Sequence, residues 1–80
     1  MYDNLEKESS RILNLVSKNV VKFRKEKGYS QLKLATEIGY SSASYLGRME
    51  IRKDDEHFNI QQLSKIAYIL DVDISLFFKE

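Results

Sequence analysis

The chain has no cysteine and no proline, and only three glycines among its 80 residues. Without cysteine there are no disulfides and no thiolate metal ligands, so packing must hold the core, helped at most by a partner subunit. Without proline nothing breaks the helical pattern, and the glycines at 28, 39 and 47 become the punctuation. Also missing is any apolar run near the roughly 20 residues of a membrane span. The opening residues, Met1-Tyr2-Asp3-Asn4-Leu5-Glu6, are acidic and lack the apolar stretch of a signal peptide. These absences predict a cytoplasmic chain with no membrane partner. What is present is a 42% hydrophobic composition, enough for one small core and too much for a disordered chain.

The net charge of +1 hides an asymmetry. Residues 1–53 carry eleven Lys/Arg against six Asp/Glu, and residues 54–80 carry two against six. A basic half joined to an acidic half suggests one face for an anion, with nucleic acid the leading partner. Enzymatic chemistry finds no support, because no nucleophile–base pair or metal constellation is present. His57 is the only histidine and sits in a charged stretch. Asp54-Asp55-Glu56 lacks the spacing of a calcium loop and reads as a solvated connector. No cofactor, metal or small-molecule ligand is expected.

Hydrophobic spacing predicts helices throughout. Ile12, Val16, Val20 and Phe23 form one helical stripe, capped at its start by Ser9 or Ser10 and closed by Lys25, Lys27 and Gly28. Residues 1–9 are polar and form either an arm or an extension of that helix. They are set apart from a domain spanning 10–80. A second helix starts at the N-cap Ser30, turns Leu34, Ala35 and Ile38 inward, and ends at Gly39. Ser41 or Ser42 caps a third, Ala43 to Glu50, with Leu46 and Met49 inward. Residues 51–58 read as a loop. Asn59 caps a fourth helix whose apolar face is Ile60, Leu63, Ile66, Ala67 and Leu70. Asp73 caps a last segment, Ile74 to Lys79. The fold class is all-α, a compact arrangement of five helices.

The run Phe23-Arg24-Lys25-Glu26-Lys27-Gly28-Tyr29-Ser30-Gln31-Leu32-Lys33-Leu34-Ala35 resembles the lambda-repressor-like (Cro/XRE-type) helix-turn-helix family. The resemblance continues through Ile38-Gly39, Tyr45-Leu46, Glu50, Ile66-Ala67 and Leu70-Asp71-Val72. Two departures stand out. The turn Gly39-Tyr40-Ser41-Ser42 is one residue longer than the family's, if Leu46 and Met49 are the inward pair. The loop after Glu50 is also longer and lacks its usual glycine.

The resemblance implies a domain that lays the N-terminal half of its third helix in the DNA major groove. Gln31 then matches the family's phosphate anchor that braces the recognition helix. Ser41, Ser42, Ala43, Ser44, Gly47 and Arg48 lie off the inward stripe and would face double-stranded DNA. Arg48 alone on that helix has bidentate capacity, for guanine or for phosphate. Tyr45 either reaches a phosphate or only packs. Lys33, Arg52 and Lys53 add general attraction. The small side chains carry little direct base code, so DNA shape contributes to specificity.

Tyr68, Ile69, Val72, Leu76, Phe77 and Phe78 exceed what one small core needs, although either phenylalanine can close the monomer core. They predict a homodimer interface. Size and the Phe77-Phe78 ending are also similar to controller proteins of restriction–modification systems. The expected function is a sequence-specific transcriptional regulator of a bacterium or phage. The alternative is a protein–protein module such as an antitoxin or adaptor.

Overall fold

The computed structural model describes residues 2–80, and the element order is entirely helical. Helix α1 spans Tyr2–Glu26, α2 Gln31–Glu37, α3 Ser44–Glu50 and α4 Ile60–Leu70. Two short 3-10 helices, Lys53–Asp55 and Ile74–Phe78, follow α3 and α4. The five expected helices are thus four α-helices and a C-terminal 3-10 helix, with an extra 3-10 turn inside the expected 51–58 loop. Residues 2–9 belong to α1, so the helix does not begin at a cap on Ser9 or Ser10. At about 1.5 Å per residue, α1 accounts for most of the molecule's 41 Å long axis.

Local chemistry sets most boundaries. Gly28 (φ +75°) adopts the left-handed conformation that lets the Tyr29 N–H reach back to the Arg24 carbonyl at 3.0 Å and close α1. Gly39 (φ +103°) does the same for α2, with the Tyr40 N–H on the Ala35 carbonyl at 2.9 Å. Ser30 caps α2 through the Lys33 N–H. Asn59 and Gln62 form a reciprocal capping box on α4. Asp73 caps the C-terminal 3-10 helix by accepting the Ser75 N–H at 2.8 Å. Helix α3 differs from expectation. It starts at Ser44, and its N-cap position is Ala43, which has no capping side chain. The Ser42 hydroxyl instead accepts the Ser44 N–H at 3.4 Å, within the turn that precedes the helix.

The core is a single cluster in which Val20, Leu34, Ala35, Leu46, Ile66 and Phe77 are fully enclosed. Leu46 and Met49 are both buried while Arg48 is exposed. That is the burial pattern the longer turn requires. Phe58, expected in a loop, is also core. Ile60, expected on the apolar face of α4, is 66% exposed, because it occupies the first helical position, where that face runs past the end of the enclosed core. Asn19 links the first element to the last, donating from Nδ2 to the Phe77 carbonyl at 2.9 Å and the Lys79 carbonyl at 2.7 Å.

The C-terminal 3-10 helix redistributes the expected dimer patch. Three residues per turn place Ile74 and Phe77 on one side. Phe77 is fully buried against Phe23, with ring centroids 6.1 Å apart, and belongs to the core and not to a surface. The other five candidates do not share one hollow. Tyr68 and Ile69 line a hollow with Ile38 and Gly39. Leu76 lines another with Leu15 and Phe23. Phe78 lines a third with Ile12, Leu13 and Ile60. Val72 is half-buried against the core. No helix among the described residues is long and apolar enough to cross a membrane.

Candidate nucleic-acid interface

Helix α3 has a back and a front. On its back, Leu46 and Met49 enter the core, and the Met49 carbonyl accepts the Ser17 hydroxyl of α1 at 2.9 Å. Glu50, at the end of the helix, receives Arg24 of α1 through two hydrogen bonds of 2.7 and 3.1 Å. Both side chains are more than nine-tenths buried. Arg24 also donates to the Tyr29 carbonyl at 2.9 Å, just beyond the end of α1. Gln31 completes the cluster, donating from Nε2 to Glu50 at 2.8 Å. An ion pair this enclosed is held by its geometry, because each unmatched lone pair or proton would carry a desolvation cost. One carboxylate thereby fixes the ends of α1, α2 and α3 relative to each other.

Gln31 therefore braces α3 directly, and its amide lies 3.8–3.9 Å from where a Cβ on Gly47 would stand. The two helices thus approach at Gly47, with room left there for a methyl in ordinary contact with Gln31. Among the sequence-derived candidates Gln31 and Gly47 are in this way brought together. The Arg24–Glu50 pair was missed as a site feature. Both residues fall within the recognised pattern, but 26 positions separate them and no periodicity links them.

The front carries the exposed residues. Ser41, Ser42 and Ser44 are exposed, and Ala43 and Gly47 are half-buried. Arg48 is exposed and pairs with Glu56 at 3.1 Å, both side chains open to solvent. Such a pair contributes little, about 0–1 kcal/mol, and can be exchanged for another anion. Lys53 is exposed, and so is Lys33, whose Nζ sits 4.7 Å from the Tyr29 ring centroid. Arg52 is placed differently. Its side chain is 10% exposed and turned toward α1, donating to Asn14 Oδ1 at 3.0 Å and to the Asp55 carbonyl at 3.4 Å. It ties down the loop after α3, where Arg52, Asp54 and Asp55 all adopt left-handed backbone without a glycine.

Tyr45 packs. Its ring stacks on Tyr40 at 4.2 Å and meets Phe58 edge-on at 6.4 Å. The Tyr45 hydroxyl is enclosed with no hydrogen-bond partner among the described residues. Burial, reinforced by the neighbouring Tyr40, pushes this phenol well above its ordinary range, so it stays neutral. Tyr40 is itself anchored to α4, accepting from Gln62 Nε2 at 3.2 Å. The aromatic stack thus supports the lengthened turn from beneath.

His57 is exposed in the connector, and no cluster of metal-ligating side chains occurs among the described residues. Comparison with curated proteins found no match, and neither did comparison with solved structures. The family comparison did. The helix-turn-helix family HTH_3 matches residues 20–77, from the last third of α1 to Phe77 of the core. The match takes in α2, the turn and α3 together with α4, and the chain belongs to the Cro/C1-type helix-turn-helix family of DNA-binding, non-enzymatic domains.

Proposed function

We propose that this chain is a sequence-specific transcriptional regulator of a bacterium or phage, acting in the cytoplasm as a homodimer on double-stranded DNA. The front of α3 enters the major groove. Ser41, Ser42, Ala43 and Ser44 approach bases and phosphates, and Arg48 exchanges Glu56 for a guanine or a phosphate. Gln31 anchors a phosphate while bracing α3. Lys33 and Lys53 add attraction at longer range, and Arg52 contributes by shaping its loop. Tyr45 supports the surface from within. The observation that carries this reading is the contrast across α3, whose back is locked by Arg24, Gln31 and Glu50 while its front offers small polar side chains and one exchangeable arginine. Rigid positioning with an open front is what base readout needs.

The test is selection of bound duplexes from a random pool, followed by affinity measurement across salt. A recurrent sequence should emerge, and its affinity should fall steeply with salt as phosphate counterions are displaced. The exposed Tyr68 beside the Ile38–Gly39 hollow favours a second reading, a protein-binding module. That reading expects duplex affinity that is absent or indifferent to salt.

A further inference from the structure

Helix α1 extends past the core. Every residue from Asp3 to Ser10 is exposed, and Leu5 among them is 61% exposed. A helical segment of this size has little stability in water by itself. Its sequence nevertheless continues a regular stripe, Leu5, Glu8, Ile12, Leu15, Asn19 and Lys22, alternating steps of three and four. The far end of that stripe borders a hollow of about 360 Å³. The hollow has half-buried Leu15, Phe23 and Leu76 within it and exposed Lys18, Lys22 and Lys79 around it.

We propose that the occupant of this hollow is the N-terminal extension of α1 from a second copy of the chain, exchanged reciprocally. Charge favours that occupant. The hollow has three lysines and one acid, Glu80, which Arg11 already pairs, whereas the extension has Asp3, Glu6 and Glu8 against Lys7 and against Arg11 at its base, which also pairs with Glu8. The stripe supplies the register. With the two α1 helices antiparallel about a two-fold axis, residue 12 meets residue 15 and residue 5 meets residue 22, while residue 8 passes over the buried Asn19, between the exposed lysines on either side of it. Ile12 and Leu15 of both copies form the centre. Leu5 covers the Phe23 end of the partner's hollow, and Glu8 lies among the partner's lysines 18 and 22.

The contact also leaves the DNA face free. Ser17 and Arg24, which bond α3, stand two residues, about 200°, round the helix from Leu15 and Lys22. The inference deepens the homodimer reading and rests on it for its purpose. It keeps Leu76 in the interface and moves the principal contact to α1.

Sedimentation equilibrium of the full chain tests it. The wild type should dimerise in the micromolar range. Leu5→Lys should weaken association about tenfold or more by removing an apolar contact and adding like charge beside the lysines. Because residue 5 lies outside the core, thermal unfolding of the monomer should be unchanged. Glu8→Lys and Lys22→Glu should each weaken the dimer, and the double variant should restore it. A wild type that stays monomeric to about 100 μM, or a Leu5→Lys variant that dimerises equally well, overturns the proposal. Failure of the double variant to restore association overturns the antiparallel register. Duplex binding is measured in parallel. A dimer that is sensitive to Leu5→Lys but has no duplex affinity upholds the interface and removes the regulator reading instead.

Discussion

Two arginine–glutamate pairs flank α3, and they do opposite things. Arg24–Glu50 lies behind the helix, bidentate and nearly closed to solvent, with Gln31 and the Tyr29 carbonyl filling the remaining positions. Arg48–Glu56 lies on the exposed front, the side proposed to meet DNA, joined by one hydrogen bond with both side chains accessible. The same two functional groups thus serve as a fixed joint and as a releasable one. Burial makes the difference. Removing one partner of the enclosed pair strands a charge, whereas water can replace either partner of the open one and a phosphate can replace its glutamate.

The largest expected effect comes from breaking the enclosed pair. Glu50→Ala leaves the Arg24 guanidinium buried without its carboxylate and should cost about 3–5 kcal/mol of stability, read by chemical denaturation. In a domain of this size that is a large share of the total. Replacing both partners by apolar residues, Arg24→Met with Glu50→Leu, should recover much of the loss and yet loosen α3. A single Glu50→Ala that unfolds like the wild type would erase the contrast between the pairs.

The open pair should behave in reverse, with folding nearly untouched and binding altered. Arg48→Ala should cost about 1–3 kcal/mol of duplex affinity if the arginine reads a base, with relaxed preference at one position. A loss uniform across sequences assigns it to phosphate. Glu56→Gln should raise affinity about two- to fivefold, the equivalent of releasing a surface ion pair. Competition binding at fixed salt measures both. If Glu56→Gln has no effect on a chain that does bind DNA, Arg48 does not exchange partners.

Gly47 sharpens the comparison, because it lies between the two pairs on α3. A Cβ there would make ordinary contact with Gln31, so Gly47→Ala should stabilise the helix by about 0.5–1 kcal/mol. Duplex affinity should fall if Gly47 belongs to the DNA-facing surface as proposed, since the added methyl crowds it beside Gln31. Unchanged affinity would remove Gly47 from that surface.

The smallest effect serves as a control remote from both pairs. The Ser75 backbone N–H holds the Asp73 carboxyl below its ordinary range. Its contribution to stability is therefore complete above the unfolded-chain value, about pH 4, and fades as pH falls through the lower folded value. Asp73→Asn should reduce the acid-side loss slightly in thermal melts.

The elements that sequence made visible are those written in adjacent residues. Ser30, Asn59 and Asp73 cap helices because their side chains reach an N–H two or three residues ahead, and Gly28 and Gly39 end helices by their own conformational freedom. Ser41 and Ser42 carry the same cap chemistry, but the lengthened turn places Ala43 at the helix boundary. The start of α1 was hidden because residues 2–9 are polar and lack an inward stripe. The Glu8–Arg11 pair is the local signal that favours helix there. Among the site residues, the exposed face of α3 followed from the inward positions of Leu46 and Met49. The direction of Arg52 did not, because it depends on Asn14, a residue from another element. The dispersal of the C-terminal apolar residues was equally hidden. A helix of three residues per turn, not 3.6, decides which of them face in.

Asn19 joins the first element to the last, and this bears on how the molecule opens. Its amide holds two carbonyls almost sixty residues away along the chain, beside the buried Phe77. Amide protons near a chain end ordinarily exchange quickly, because the end detaches while the rest stays folded. Here detachment would empty the centre of the hydrophobic cluster and orphan the Asn19 amide together. Protection of residues 74–78 should therefore match that of the middle of α1, with both segments exchanging only through whole-domain unfolding.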